Sequence, residues 1–290
     1  MRIVVLGASG QIGSVIYEML RRHYEVVGTS RKQSSGLFQF DPFRDNWSKL
    51  GKSDIVVNCV GQIEATTNFS FYKIHLELSK LIIDNREVVG NPRIIQISAL
   101  GAAANHKVEF LRTRGLADDY ILQHPNTVVA RPSIICTHRT MIVKKMLMLL
   151  QISNYTQGVV FVPSGFLNRE IQPMMPQDLS ALIKTLCTAT DLPRIINVVG
   201  PERLSYHQII NLLFDTQRKK YRLVQVPKIL TDVLIKYGIS FLLPKLINSQ
   251  QYQLLFQDNI ADVTVAEGIL GRRFISTKPF FKNEFSYASH

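Results

Sequence analysis

The sequence predicts an α/β fold: a doubly wound parallel sheet, followed by a smaller and mainly helical C-terminal part. Three features point to it. Short apolar runs alternate with segments of helical periodicity over the first 135 residues. The runs are four to seven residues long and largely apolar, as in strands covered on both faces. A glycine cluster joins the first run to the first helical segment. Such alternation builds right-handed crossovers and therefore parallel strands.

The elements follow in order. Residues 3–6 form an apolar run that ends in glycine, and Ile12, Val15, Ile16, Met19 and Leu20 then recur at helical spacing. Runs at 25–29, 54–60, 93–98 and 127–130 predict four further strands, the last stopped by Arg131-Pro132. Helices are predicted over 71–85 and 108–123. Further on, 141–152, 176–189 and 205–214 read as helices, the last with Ser205 as its N-cap. Residues 194–199 read as a sixth strand, and from Val226 the pattern is helical until Pro244. These expectations divide the chain into a parallel-sheet core at 1–135 and a part at 136–290 covering the cleft, with 194–200 returning to the main sheet.

Composition narrows the function classes. Of 290 residues, 46% are hydrophobic and 19% charged, enough to bury a core and too apolar for a disordered chain. Thirty-four Lys and Arg against 22 Asp and Glu give a net charge of +12, which favours anionic partners. The three cysteines, Cys59, Cys136 and Cys187, lie far apart with no CxxC pair or Cys/His cluster. That argues against a metal site or a disulfide framework and suits a reducing, cytoplasmic compartment. Met1-Arg2 leads straight into the first strand with no targeting segment, and no apolar stretch is long enough to read as a membrane span.

The sharpest motif is Gly7-Ala8-Ser9-Gly10-Gln11-Ile12-Gly13, spaced GxxGxxG between the first strand and the first helix. Glycine permits the tight turn and lets backbone approach a pyrophosphate, while the helix N-terminus offers free N–H groups. In that context the motif predicts nucleotide binding. An acidic residue after the second strand would hold the ribose hydroxyl of NAD. Here the strand ends Gly28-Thr29-Ser30-Arg31-Lys32, with two cations in its place. NADP(H) is therefore the expected cofactor, with NAD(H) as the alternative.

These residues resemble the short-chain dehydrogenase/reductase superfamily in its extended and atypical branches, which implies a Rossmann fold. The glycine loop is similar to the extended-type motif. By that resemblance Asp41 in Phe40-Asp41-Pro42 contacts adenine, and Asn58-Cys59-Val60-Gly61 lines the cofactor. Ser98-Ala99-Leu100-Gly101 is similar to the segment carrying the active-site serine, and Arg131-Pro132-Ser133 to the turn beside the nicotinamide. Pro176-Gln177-Asp178-Leu179 and Val199-Gly200-Pro201 resemble later landmarks. The superfamily's catalytic pair is a Tyr with a Lys four residues later. Phe110 stands at the Tyr position and Arg114 at the Lys position. Phenylalanine has no proton to give, whereas arginine keeps the charge that holds ribose. Tyr120, His106, Glu109 and His75 are the nearby candidates to supply a proton, each also readable as a surface or packing residue.

Within the superfamily the chain resembles the nucleotide-binding accessory subunits of respiratory complex I and their bacterial relatives. The Ile97-Ser98-Ala99-Leu100-Gly101-Ala102 run and Arg112-Thr113-Arg114-Gly115-Leu116-Ala117 carry that likeness, although Leu116 departs from the usual acidic residue. The resemblance implies a structural or redox-sensing NADP(H)-binding role. The competing expectations are an NADPH-dependent reductase or a sugar-nucleotide epimerase/dehydratase with a relocated acid, and an assembly subunit of a membrane complex.

Residues 218–256 open on the basic run Arg218-Lys219-Lys220 and Arg222. The apolar residues Ile229, Leu230, Val233, Leu234, Tyr237, Ile239, Phe241, Leu242 and Leu243 follow. The plain reading is a helix packed on the core, and the other is an interface with a membrane surface or a protein complex. Nucleic acid is not expected, since no recognition signature accompanies the dispersed cations.

Overall fold

The computed structural model describes residues 1–62, 70–138, 140–236 and 249–286. The chain forms two compact units. One comprises Met1–Ser133, Pro176–Val199 and Ala261–Phe274; the other comprises Ile134–Met175, Gly200–Ile260 and Ile275–His290.

In chain order the first unit contributes β1 (Arg2–Leu6), α1 (Gln11–Leu20), β2 (Glu25–Ser30), β3 (Phe38–Gln39), β4 (Ile55–Asn58), α2 (Leu78–Asp84), β5 (Arg93–Ile97), α3 (Glu109–Leu122) and β6 (Thr127–Pro132). The second unit then supplies α4 (Met141–Tyr155), β7 (Val159–Pro163) and β8 (Glu170–Ile171). Helix α5 (Pro176–Thr188) and β9 (Ile195–Val198) belong to the first unit. β10 (Leu204–Ser205), α6 (Tyr206–Thr216), β11 (Arg222–Val226), α7 (Lys228–Lys236) and α8 (Ser249–Leu254) belong to the second. Helix α9 (Thr264–Leu270) falls in the first and α10 (Lys278–Ser286) in the second.

The first unit is a seven-stranded sheet in the order β3-β2-β1-β4-β5-β6-β9, and every pair is parallel. Residues alternate across it. Val4, Leu6, Val56, Ile94 and Val129 share a core with Leu78, Ile82 and Ile121 of α2 and α3. Ile3, Val5, Ile55, Val57 and Ile95, on the other face, are equally buried. Helix α1 packs on α5, and α5 on α9. A parallel sheet covered on both sides needs such near-continuous apolar strands. Strand order reverses between β1 and β4, and in such sheets ligands bind at the carboxyl ends of the strands at this point.

The helix expected over 71–85 begins as a π-helical turn at Lys73–Glu77 that runs into α2. Ser79 Oγ donates to the His75 carbonyl at 2.8 Å beside that widened turn. Such π-turns are frequent at functional sites.

In the second unit α4, α6 and α10 pack on one another around Phe214, Phe281 and Phe285. Ser205 and Gln208 form a reciprocal capping box at the start of α6. Periodicity did not reveal the parallel pair β7 and β11. Their pairing is long-range, and the turn before β7 depends on Gln157 and Gly158 at φ 52° and 85°, of which only the glycine is an obvious turn residue. The expected continuation through Tyr237, Ile239, Phe241, Leu242 and Leu243 to the break at Pro244 lies outside the described residues, as does the Leu234 side chain. Among the described residues no helix is long and apolar enough to cross a membrane.

Candidate functional site

The glycine loop sits at the carboxyl end of β1, beside the strand-order reversal. Gly7 takes φ 78°, a region costly to residues with a β-carbon, and its carbonyl accepts the Gly10 N–H at 2.9 Å. A β-carbon on Gly13 would lie 2.1 Å from that carbonyl oxygen, so only glycine lets α1 start this close to β1. Gly10 is the N-cap, and no side chain caps the helix. Ser9, Gly10 and Gln11 are exposed, and Ile12 is half-buried. The amino end of α1, which no side chain caps, and its positive dipole suit an anion.

The end of β2 forms one wall. Ser30 is buried and its carbonyl accepts the Phe40 N–H at 2.9 Å, while Arg31 and Lys32 are exposed. Asp41 sits in a turn: its Oδ1 accepts the Phe43 N–H at 3.1 Å, and its own N–H donates to Asp45 Oδ2 at 2.7 Å. Arg44 stands 3.9 Å from the other Asp41 oxygen.

The end of β4 forms the opposite wall. Asn58 is buried, donates to Gln96 Oε1 at 2.8 Å and accepts the Val60 N–H at 3.1 Å. That bond folds the loop after the strand and brings Val60 against Gly7, where a β-carbon on Gly7 would meet Val60 Cγ2 at 3.0 Å. Gly61 lies so close to the Arg114 guanidinium that an added β-carbon would fall 1.8 Å from its Nη2.

Helix α3 presents a buried polar set. Arg114 Nη1 donates to the Ile97 carbonyl at 2.7 Å, and its guanidinium stands 5.9 Å from the Phe110 ring centroid. Burial lowers its pKa to about 10, against the nearby Asp118, so it stays charged at neutral pH. Ser98 Oγ donates to Asp118 Oδ2 at 2.8 Å, and Arg131 Nε donates to the same oxygen at 2.8 Å. Burial pushes the Asp118 carboxyl up to about 6, opposed by Arg131 and Ser98. The turn after β5 is stitched to β6 by the Leu100 N–H on the Pro132 carbonyl at 2.9 Å.

The four nearby candidates for a proton donor separate clearly. His75 is buried beside Phe71 and Phe110, its Nδ1 2.8 Å from Thr113 Oγ1, and burial followed by the Arg114 charge holds its pKa down at about 2. His106 Nδ1 accepts the Val108 N–H at 3.0 Å, just before α3. Glu109 is half-buried in the first turn of α3. Tyr120 packs beside Lys80 and His124, with its pKa raised first by burial. The Cys59 thiol is pushed up to about 12 by burial.

No family model matches the chain. In sequence it is 25% identical over 247 residues to the Arabidopsis thaliana mitochondrial protein "NADH dehydrogenase [ubiquinone] 1 alpha subcomplex subunit 9", covering 77% of this chain and 60% of the relative. It is 22% identical over 276 residues to the Neurospora crassa mitochondrial "NADH-ubiquinone oxidoreductase 40 kDa subunit", covering 89% and 71%. In structure, UDP-glucuronic acid 4-epimerase from Bacillus cereus, solved with UDP-glucuronic acid and NAD, superposes with a TM-score of 0.71 at 15% identity over 100% of this chain and 99% of its own. RMD from Pseudomonas aeruginosa, complexed with NADPH, gives 0.68 at 14% over 99% of each chain.

In sequence and in fold the chain is similar to the atypical short-chain dehydrogenase/reductases.

Against that superfamily's arrangement, the structure brings two groups of residues together. Gly7, Gly10, Gly13 and Val60 meet at the loop, while Ser98, Phe110 and Arg114 lie about the β5–α3 end. Asp118 escaped the sequence reading although a signal was present. Leu111, Arg114, Gly115, Asp118 and Ile121 recur at helical spacing and all are buried, so an acid and a cation sit inside a core stripe. Arg131 was read only as part of a turn, and its ion pair with Asp118 joins β6 to α3.

Proposed function

We infer that this chain binds a nicotinamide dinucleotide, NADP(H) in preference to NAD(H), and does so as a structural or redox-reporting ligand rather than for turnover. The observation that carries the reading is a phosphate-type glycine loop beside an α3 helix with Phe110 where the superfamily places its proton donor. The residues present fit the group. The loop tip is exposed, and a β-carbon on Gly10 would meet only the Gly7 carbonyl, at 3.2 Å. The amides at the start of α1 would hold the pyrophosphate, and Arg31 and Lys32 would meet a 2′-phosphate. Asp41 would lie on the adenine side, with Asn58, Val60, Gly61 and Pro132 lining the remainder. A bound nicotinamide supplies a hydride. Reduction of a carbonyl also needs a proton, and a positioned acid contributes about 10²–10⁴ in rate. Phe110 cannot supply it, His75 is held neutral and buried, and Ser98 is spent on Asp118. Arg114 keeps the positive charge of the superfamily's lysine.

The likeness to proteins named as complex I subunits supports an accessory role in a protein assembly. The chain spans about 60% of the Arabidopsis relative's length, so that role is a proposal for the described region.

Calorimetric titration with NADPH and NADH tests the ligand, with tighter NADPH expected. Equal affinities, or tighter NADH, would remove the 2′-phosphate reading. NADPH oxidation across quinones, aldehydes, ketones and sugar nucleotides tests the chemistry. Turnover near the usual enzyme scale of about 10 per second would reveal a relocated acid and favour a reductase or epimerase.

A further inference from the structure

Helix α7 leaves part of its apolar surface exposed. At about 100° per residue, Ile229, Leu230 and Val233 fall within one arc, with Lys228 and Thr231 on the far side. A helix on a globular body turns its apolar stripe inward. Here Ile229, Leu230 and Val233 are 79%, 51% and 42% exposed. Opposite that arc, Lys228 and Thr231 reach Tyr252, with the Lys228 side chain still 48% exposed. Thr231 Oγ1 lies 2.6 Å from Tyr252 Oη, and Lys228 Nζ stands 4.9 Å from the Phe256 ring and 5.6 Å from the Tyr252 ring.

The β7–β11 ribbon precedes this helix in the chain. Parallel pairing sets Val159 beside Arg222, Phe161 beside Val224 and Pro163 beside Val226, all pointing to one face. On β7 Val160 and Val162 point to the other face and are buried, while Phe161 is 54% exposed; on β11 Arg222 is exposed and Val224 and Val226 are half-buried. Pro227 then leads directly into α7. The ribbon and the helix, consecutive in one unit, each leave apolar side chains exposed.

Charge selects the occupant. Residues 216–236 hold six cations, Arg218, Lys219, Lys220, Arg222, Lys228 and Lys236, against the single acid Asp232. Among the described residues Lys220 and Arg222 make no ion pair. A second copy of the same face would set cation against cation. Apolar side chains rimmed by cations match acyl chains beneath anionic headgroups. We propose that β7, β11 and α7 form a docking surface for an anionic lipid bilayer, with Ile229, Leu230, Val233 and Phe161 entering the interface and Lys220 and Arg222 meeting the headgroups.

Flotation of the full chain with phosphatidylcholine vesicles, and with vesicles containing about a third phosphatidylglycerol, tests this. Binding is expected only to the anionic vesicles, weakening in high salt. The triple variant Ile229→Gln/Leu230→Gln/Val233→Gln is expected to lower vesicle partitioning at least about tenfold with an unchanged melting temperature, because these side chains are exposed. Lys220→Gln/Arg222→Gln is expected to lower it severalfold and to reduce the salt dependence. The proposal fails if the wild type does not float, if it binds neutral vesicles equally, or if the triple variant floats like the wild type. A large drop in the triple variant's melting temperature overturns it too, by showing that the stripe is covered within the chain. Loss of a concentration-dependent dimer in that variant, without flotation of the wild type, would assign the face to a second copy instead. None of these readouts depends on nucleotide binding.

Discussion

Two mouths of the same sheet use opposite means. At the β1–β2 end the working groups are backbone amides and exposed side chains: the uncapped start of α1, then Arg31 and Lys32. At the β5–α3 end they are buried side chains bonded to one another, with Asp118 holding Ser98 and Arg131, and Arg114 held by the Ile97 carbonyl. The first mouth is open to an anion, whereas the second is bonded largely from within, with Arg114 Nε and Asp118 Oδ1 left buried without a partner. On the proposed reading, this chain keeps the binding half of a nucleotide site and has built the chemical half into its core.

Damage to the second mouth should therefore be felt as lost stability. Asp118→Ala leaves Arg131 and Ser98 without their acceptor and is expected to cost about 3–5 kcal/mol, read by urea unfolding. A loss below about 1 kcal/mol would show that the network is incidental. Gly115→Val is expected to cost about 3 kcal/mol, because a β-carbon there would fall 2.2 Å from the Ala103 carbonyl carbon, a backbone atom that cannot step aside.

The same mouth has a pH signature. His75 has an ordinary pKa of 6.5 and is held at about 2, so acid below pH 6.5 protonates the unfolded chain first and lowers stability. Asp118 runs the other way. Its carboxyl moves from 3.8 to about 6, so stability from this group is greatest below pH 3.8 and is lost as pH rises through about 6. Between those two pH values the slopes oppose each other. In His75→Gln, acidification across that window is expected to raise stability by up to about 3 kcal/mol relative to His75→Gln/Asp118→Asn. Unfolding curves at stepped pH measure it, and parallel curves for the two variants would mean that Asp118 is ionised throughout.

Damage to the first mouth should be felt in binding and spare the fold. Gly10→Val narrows the approach to the amides of α1 and is expected to weaken nucleotide binding at least about tenfold with little change in melting. The smallest expected effect is that of Arg31→Glu. It exchanges a charge-assisted contact for repulsion in an exposed, screened position, so the NADPH preference should fall about tenfold or less and move toward NADH. An unchanged preference would place the 2′-phosphate contact elsewhere.

These two mouths also mark how far the sequence can be read. The glycine loop is local: Gly7, Gly10 and Gly13 lie within one turn and one helix start, and their spacing alone states the backbone geometry. The alternation of apolar runs likewise determined the parallel sheet, because strands covered on both faces have to be apolar throughout. Phe110 and Arg114 could be placed four residues apart on one helix for the same reason. What Ser98, His75 and Gly61 do was decided only in three dimensions. Ser98 meets Asp118 twenty residues away, His75 meets Thr113 thirty-eight residues away, and Gly61 has to be bare because Arg114 reaches it. The outward stripe of α7 was equally hidden. An amphipathic pattern records that a helix has two faces, and only the tertiary structure shows that Ile229, Leu230 and Val233 are left exposed.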